Sequence, residues 1–199
     1  AFDGTYIWTG NYLDKSVSKL RASDGELIGT YPVGYNLKAV VSDGTHIWTA
    51  NYGAGDGSND RGNSVSKLRA SDGELIGTYL VGDAPIDLVF DGTYIWVANE
   101  DDDSVSKLQA SDGELIGTYP AGDAPQRLVF DGAHIWVTNG AGWEGTVSEL
   151  RASNGELIGT YPLGVPPQDV VFDGTHIWVA NQSEDSVSKL CARSTTAAP

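Results

Sequence analysis

The sequence predicts an all-β fold, a five-bladed β-propeller of four-stranded antiparallel blades. The first observation is a heptad, F-D-G-T-Y-I-W at Phe2 to Trp8, that returns four times with small changes. Its copies begin near residues 2, 42, 90, 130 and 172, and repeats of this length are typical of propellers and solenoids. The second observation is that each full repeat holds four short strand-like runs separated by turn residues, which is the content of one propeller blade.

The third repeat shows how one blade divides into strands. Ile86 to Phe90 is a short apolar run that ends at an Asp-Gly pair, and Tyr94 to Ala98 is rich in strand-forming residues. Ser104 to Leu108 alternates polar and apolar residues, and Glu114 to Tyr119 follows a second Asp-Gly pair. Asp-Gly pairs favour the tight turns of antiparallel hairpins. The blades are therefore expected to be antiparallel, and a parallel β-solenoid is the competing architecture.

The aromatic residues of the heptad are expected to form the core. A large residue repeated at one strand position is best explained by packing between neighbouring blades. This applies to Trp8, Trp48, Trp96, Trp136 and Trp178. The three histidines stand where Tyr6 and Tyr94 stand in other copies, which favours half-buried rings over metal ligands; they are His46, His134 and His176.

The two terminal blades are predicted to be incomplete. The first repeat begins at Ala1 and has no strand before its heptad, and the fifth has no strand after Ser186 to Leu190. Residues 1–192 are assigned to a single propeller domain, and residues 193–199 to a tail. An unpaired strand edge is a template for association, so a homo-oligomer through the terminal blades is expected. The sequence contains no Met, which suggests a processed product or a piece of a longer chain.

The composition argues against two classes of partner. The formal net charge is −15 and the isoelectric point is about 4.3, so the chain repels phosphate backbones and anionic lipid surfaces. No apolar run approaches the roughly 18 residues of a membrane-spanning helix. We therefore expect neither nucleic-acid binding nor membrane insertion.

The repeat motifs resemble those of bacterial YVTN-type β-propellers, which are related to NHL blades. The resemblance lies in D-G-x-x-I-W-V-A-N, S-V-S-K-L and D-G-E-L-I-G-T-Y-P-V-G-D-A-P, and it covers residues 1 to about 192. It implies a propeller of the YncE-like or streptogramin lyase-like superfamily. The lyases of that superfamily use histidine and glutamate around a magnesium ion near the channel. No such set departs from the repeat background here, so the lyase activity is not carried over.

The candidate site lies where the repeats differ from one another. Positions that are identical in every blade are expected to be scaffold. The variable positions fall in the loop after the second strand and in the stretch that enters the first strand, and both lie on one face of an up-and-down blade. A ligand site at the channel mouth of that face is the resulting hypothesis. Its channel-lining candidates are Lys38, Asp87, Gln126, Arg127, Gln168 and Asp169.

Three aromatic residues extend this hypothesis. Trp143 is outside the heptad, in a Gly-rich loop, where it either stacks on a sugar or partner chain or folds back over the loop. Tyr12 and Tyr52 follow the Asn that ends the second strand and could add to an aromatic rim. Glu100 to Asp103 is interpreted as a solvated run of charge.

No cofactor is expected, with calcium or magnesium as a weak alternative. Asp56 to Asp60 places side-chain oxygens at alternate positions, as calcium loops do. Arg61, however, stands where such a loop has its Gly, and the last Glu of such a loop is also missing.

The leading functional hypothesis is an extracellular or periplasmic, non-enzymatic binding or assembly module. Its partner would be a small molecule, a glycan or a protein that meets the variable-loop face. The first alternative is a metal-assisted lyase or hydrolase at the central channel, with a divalent ion near Asp87 and Asp169. The second is a structural subunit of a larger surface assembly.

Overall fold

The protein is an all-β chain in which the strands form five antiparallel sheets. The computed structural model describes residues 1–53, 61–140, 144–182 and 184–192, and these ranges contain eighteen strands and no helix. None of these ranges therefore holds a helix that is long and apolar enough to cross a membrane.

The sheets follow one another along the chain. Sheet 1 contains β1 (Tyr6–Asn11), β2 (Ser16–Arg21) and β3 (Leu27–Pro32). Sheet 2 contains β4 (Tyr35–Ser42), β5 (His46–Gly53), β6 (Arg61–Arg69) and β7 (Leu75–Leu80). Sheet 3 contains β8 (Pro85–Phe90), β9 (Tyr94–Asn99), β10 (Ser104–Gln109) and β11 (Leu115–Pro120). Sheet 4 contains β12 (Pro125–Phe130), β13 (His134–Asn139), β14 (Thr146–Arg151) and β15 (Leu157–Pro162). Sheet 5 contains β16 (Pro167–Phe172), β17 (His176–Asn181) and β18 (Val187–Cys191).

The pairing within each sheet is that of an up-and-down meander. Every strand pairs antiparallel with its neighbour in sequence, which confirms the antiparallel prediction and shows that a parallel solenoid is wrong. Sheets 1 and 5 have three strands and sheets 2 to 4 have four, as predicted for incomplete terminal repeats. Before β1 there is only an isolated bridge between Phe2 and Ile7.

Consecutive sheets pack face to face through the heptad tryptophans. Strand β8 contacts both β4 and β12, and β12 also contacts β16, so the first strands of the sheets lie side by side. Trp48 of sheet 2 is fully buried and clusters with Leu88, Ile95 and Leu108 of sheet 3. Four heptad tryptophans are 0–1% exposed, as predicted, whereas Trp178 of sheet 5 is only half-buried.

The heptad is repeated because its Asp anchors both the turn and the tryptophan. In sheet 3 one oxygen of Asp91 accepts hydrogen bonds from the backbone N of Thr93 and Tyr94. The other oxygen accepts the indole N–H of Trp96 at 2.8 Å. A buried indole needs such a partner, because an unpaired N–H in the core is costly. Gly92 between them has φ +98°, a conformation that disfavours other residues.

A lysine connects each of the first three sheets to the next one. Lys67 of β6 donates to the backbone oxygens of Ala110 and Ser111 in sheet 3, both at 2.8 Å, and its amine lies 5.1 Å from the ring centre of Trp48. Lys19 and Lys107 make the same pair of bonds to the following sheets. We call this arrangement the lysine clasp. The sequence pattern showed S-V-S-K-L only as a strand, so the clasp was not predicted.

Candidate functional site

The two variable segments of each repeat meet on one side of the molecule, as predicted. The loop after the second strand bonds to the stretch that enters the first strand of the same sheet. Examples are Glu100 N to Ala84 O at 3.0 Å and Gly140 N to Ala124 O at 3.1 Å. We call the surface that these two kinds of segment form the loop face.

The loop face carries unusual backbone conformations. Among the described residues, all the non-glycine residues with positive φ lie there, at 49° to 56°; they are Lys15, Asn36, Ala84, Asp103 and Ala124. Residues other than Gly, Asn and Asp adopt this region rarely, and such strain is concentrated at functional sites. The opposite side is built from the repeated Asp-Gly turns, where the positive φ angles belong to glycines.

Polar and aromatic side chains form a continuous chain across four sheets of the loop face. The Lys38 amine lies 5.0 Å from the ring centre of Tyr12 and 4.7 Å from that of Tyr52. The Tyr52 hydroxyl donates to Glu100 at 2.8 Å, and the second oxygen of Glu100 accepts the Gln126 amide at 2.8 Å. Tyr12 and Lys38 are exposed, so one end of the chain is open to solvent. Four of these five residues were predicted; Glu100, which was interpreted as a solvated charge, is the member that the sequence did not reveal.

Asp87 lies on β8, the first strand of sheet 3, and carries the most perturbed carboxyl of this face. Burial raises its pKa to about 6, although it accepts a hydrogen bond from the backbone N of Leu128 at 2.9 Å. The positive charge of Arg127 acts in the opposite direction, and the negative charge of Asp169 raises the pKa further. The charges of Arg127 and Asp169 therefore both act on the Asp87 carboxyl.

The other candidates are less well defined by contacts. Gln168 and Asp169 are exposed at the start of β16, and Asp169 accepts a hydrogen bond from the backbone N of Val170. Arg127 donates to the backbone oxygen of Gln126 at 2.9 Å. Trp143 and the Asp56 to Asp60 segment lie outside the described residues.

Surface depressions occur on both sides of the sheets. On the loop face, a depression of about 230 Å³ is lined by Asp123, Asn139 and Glu144, among others. A larger one of about 500 Å³ lies on the opposite side, between the turns of sheets 1 and 2. A related depression, lined by the equivalent turn residues, occurs in sheet 4. The larger depression thus follows from the repeated turns, and the chemically distinct groups are on the loop face.

The described residues provide little for a metal ion. No three His, Cys, Asp or Glu side chains within them are grouped as metal ligands. The histidine rings instead face the Asp of their own turn, with Nδ1–Oδ2 distances of 3.2 Å for His46–Asp43 and His134–Asp131. His134 is buried and His46 and His176 are half-buried, which agrees with the scaffold role that their exchange with Tyr predicted.

The fold defines an all-β repeat protein made of five consecutive antiparallel sheets. It is similar to hydrazine synthase from Kuenenia stuttgartiensis, with a TM-score of 0.79 and 19% identity, covering 90% of this chain and 53% of that one. It is also similar to a functionally unknown protein from Desulfotomaculum acetoxidans DSM 771, with a TM-score of 0.79 and 14% identity, covering 98% of this chain and 64% of that one. The chain therefore spans about half to two thirds of these proteins, and at such identities the likeness concerns the fold alone. No protein-family model and no curated protein matches the chain.

Proposed function

We propose that the five sheets are blades of a β-propeller of the YVTN/NHL-like type and that the chain is a non-enzymatic binding module. Its ligand meets the loop face, near the side chains that run from Tyr12 to Gln126. We place the protein outside the cytoplasm, in the periplasm or the extracellular space. The resemblance of the repeat motifs supports the blade assignment, and the five consecutive antiparallel sheets are compatible with it.

The observation that best supports a binding function is the series of contacting side chains on the loop face. Tyr12, Lys38, Tyr52, Glu100 and Gln126 come from four different sheets, yet each one contacts the next. Tyr52 packs against a core cluster, but the other four residues belong to none of the core clusters of the described residues, so packing of the sheets does not account for their contacts. These residues are not repeated from sheet to sheet, yet the fold brings them together, as expected for a binding site.

The chemistry favours a glycan or another small polar, uncharged ligand. An exposed tyrosine ring offers an apolar face, and the amide and carboxylate groups offer both donors and acceptors for hydroxyls. Tyr12 is 46% exposed and adjoins the Lys38 amine. The net charge of −15 opposes strongly anionic ligands.

Titration with neutral oligosaccharides tests this proposal. Saturation-transfer NMR with cello-, malto- and chito-oligosaccharides should show contact with at least one of them. Tyr12→Ala and Gln126→Ala should each weaken that binding about tenfold, the equivalent of about 1.4 kcal/mol. Gln109→Ala is the matched control, because Gln109 is half-buried on the opposite side and its side-chain amide donates to the backbone oxygen of Thr93. The absence of binding to the whole panel, or an equal loss with Gln109→Ala, would contradict the proposal.

A metal-assisted lyase or hydrolase is the second candidate function. The observation that favours it is the raised pKa of Asp87 beside the negative charge of Asp169, since perturbed carboxyls are concentrated at active sites. A divalent ion held by these two carboxylates would need further ligands from water or substrate, because no third ligand is grouped with them among the described residues.

A further inference from the structure

Each seam between consecutive sheets is made of two different faces. The first sheet supplies a presenting face, with the heptad tryptophan, a valine of the S-V-S-K-L-type strand and, in the first three seams, the clasp lysine. The next sheet supplies a receiving face, with the isoleucine that precedes its own tryptophan, a leucine of its third strand and an alanine. In the first seam the presenting residues Trp8 and Val17 cluster with the receiving residues Ile47, Leu68 and Ala70.

Sheet 5 presents such a face to solvent. Val187 is 61% exposed, whereas the equivalent valines of the other four sheets are 0% exposed. Trp178 is half-buried, and a shallow depression of about 240 Å³ beside it is lined by Val171, Ala180 and Val187. The Lys189 amine lies 4.8 Å from the ring centre of Trp178, close to the 4.9–5.3 Å between each clasp lysine and its own tryptophan. Within the described residues, however, Lys189 donates no hydrogen bond.

Sheet 1 leaves the matching receiving face uncovered. Ile7 is 39% exposed, whereas the equivalent isoleucines of the other four sheets are 0% exposed. Ala22 is exposed, while the alanines that receive Trp8, Trp48 and Trp96 are 8% exposed. A Cβ added at Gly25 would have no neighbour within 4 Å, whereas at its equivalents in sheets 2, 3 and 4 it would meet a tyrosine of the preceding sheet.

The choice between lysine and glutamate at the clasp position indicates what Lys189 is suited to bind. Lys19, Lys67 and Lys107 each precede a sheet with the hairpin A-S-D-G or A-S-N-G, whose first two carbonyls they bind. Sheet 4 precedes a sheet whose sequence there is Ala192-Arg193-Ser194-Thr195, and it carries Glu149 instead. Lys189 therefore fits a sheet with the A-S-D-G hairpin, and in this chain the uncovered hairpin of that kind is Ala22-Ser23-Asp24-Gly25.

We infer that the presenting face of sheet 5 docks on the receiving face of sheet 1 of a second copy of this chain. Trp178 then packs on Ile7 and Ala22, and Lys189 donates to the backbone oxygens of Ala22 and Ser23. This contact has the same form as the seams between consecutive sheets within one molecule. It buries apolar side chains that are otherwise exposed to solvent. Because its two faces differ, the contact is heterologous and can repeat from copy to copy. It uses surfaces other than the loop face and does not depend on the proposed binding function.

Sedimentation velocity over a wide range of protein concentration tests the inference. The 199-residue chain should form concentration-dependent species at multiples of 21.1 kDa. Lys189→Glu blocks the sheet 5 face and Ala22→Arg blocks the sheet 1 face, and each variant alone should sediment as a monomer. A mixture of the two variants keeps one working contact, so it should stop at a dimer of one molecule of each. Leu80→Ser is the matched control, since Leu80 is 69% exposed on sheet 2 and should leave assembly unchanged.

Each other outcome overturns the inference. A wild-type chain that is a monomer at every concentration would show that the two faces stay apart or close on each other within one molecule. Blocked variants that still assemble, or a mixture that gives no dimer, would show that another surface is responsible. If either variant fails to fold by circular dichroism, Val187→Asp and Ile7→Asp replace the pair at positions that are already exposed.

Discussion

The seams between the sheets and the loop face are built by opposite rules. In the seams the same residue types recur from sheet to sheet, and the tryptophans and valines there are almost completely buried. On the loop face many residues differ between repeats, several backbone angles are strained, and charged groups lie close together. Most of the free energy of folding therefore comes from the seams, and the loop face is free to carry chemistry that contributes little to stability or opposes it.

Truncation of a seam tryptophan should have the largest effect on stability. Trp96 is 0% exposed and packs against Leu128, Ile135 and Leu150 of sheet 4, so Trp96→Ala leaves a large cavity and an unpaired oxygen on Asp91. We expect a loss of about 3–5 kcal/mol in the free energy of unfolding, measured by urea denaturation. Trp178→Ala is the matched control at a half-buried site and should cost less than half as much in dilute protein. Equal losses at the two sites would show that the seams are not the source of stability.

A substitution on the loop face should instead stabilise the protein. The folded state raises the pKa of Asp87 from 3.8 to about 6, so it binds the proton more tightly than the unfolded state does. The contribution of Asp87 to stability is therefore complete below about pH 4, falls as the pH rises to about 6, and stays low above that. Asp87→Asn should have little effect at pH 4 and should add up to about 3 kcal/mol above pH 6.

Urea denaturation from pH 4 to pH 8 measures this difference. Asp123→Asn is the control, because Asp123 is exposed on the same face and its substitution changes the net charge equally. If the free energies of unfolding of Asp87→Asn and the wild type differ by the same amount at every pH in this range, Asp87 has the pKa of an ordinary surface carboxyl.

The sequence predicted the seams better than the loop face, for a physical reason. A repeat makes packing visible, since a tryptophan at the same strand position in five copies is best explained by packing against a repeated neighbour. The incomplete sheets 1 and 5 followed from the same comparison of copies. In every copy the Asp of the heptad accepts the indole N–H of the tryptophan five residues later, as Asp91 does from Trp96.

Contacts between non-equivalent residues could not be found in this way. The partners of Lys67 are backbone oxygens, which have no signature in the side-chain sequence. Glu100 lies in a run of acidic residues that looks solvated, and only the fold brings it between Tyr52 and Gln126. One signal was available for the clasp: lysine is replaced by Glu149 in the copy whose next repeat has neither the A-S-D-G nor the A-S-N-G hairpin.

The smallest effect is expected for a clasp lysine. Lys107 is 2% exposed and donates to Ala152 O at 2.7 Å and Ser153 O at 3.3 Å, and burial lowers the pKa of its amine. Lys107→Met keeps the apolar stem but removes both bonds, so we expect a loss of about 1–2 kcal/mol by urea denaturation. Lys189→Met is the matched control, since Lys189 has the same place over a tryptophan but donates to no carbonyl within the described part of the chain. In dilute protein it should cost less than about 0.5 kcal/mol. If Lys189→Met lowers the free energy of unfolding in dilute protein as much as Lys107→Met does, the lysines stabilise the fold through the tryptophan ring. Their hydrogen bonds to the carbonyls of the next sheet would then contribute little.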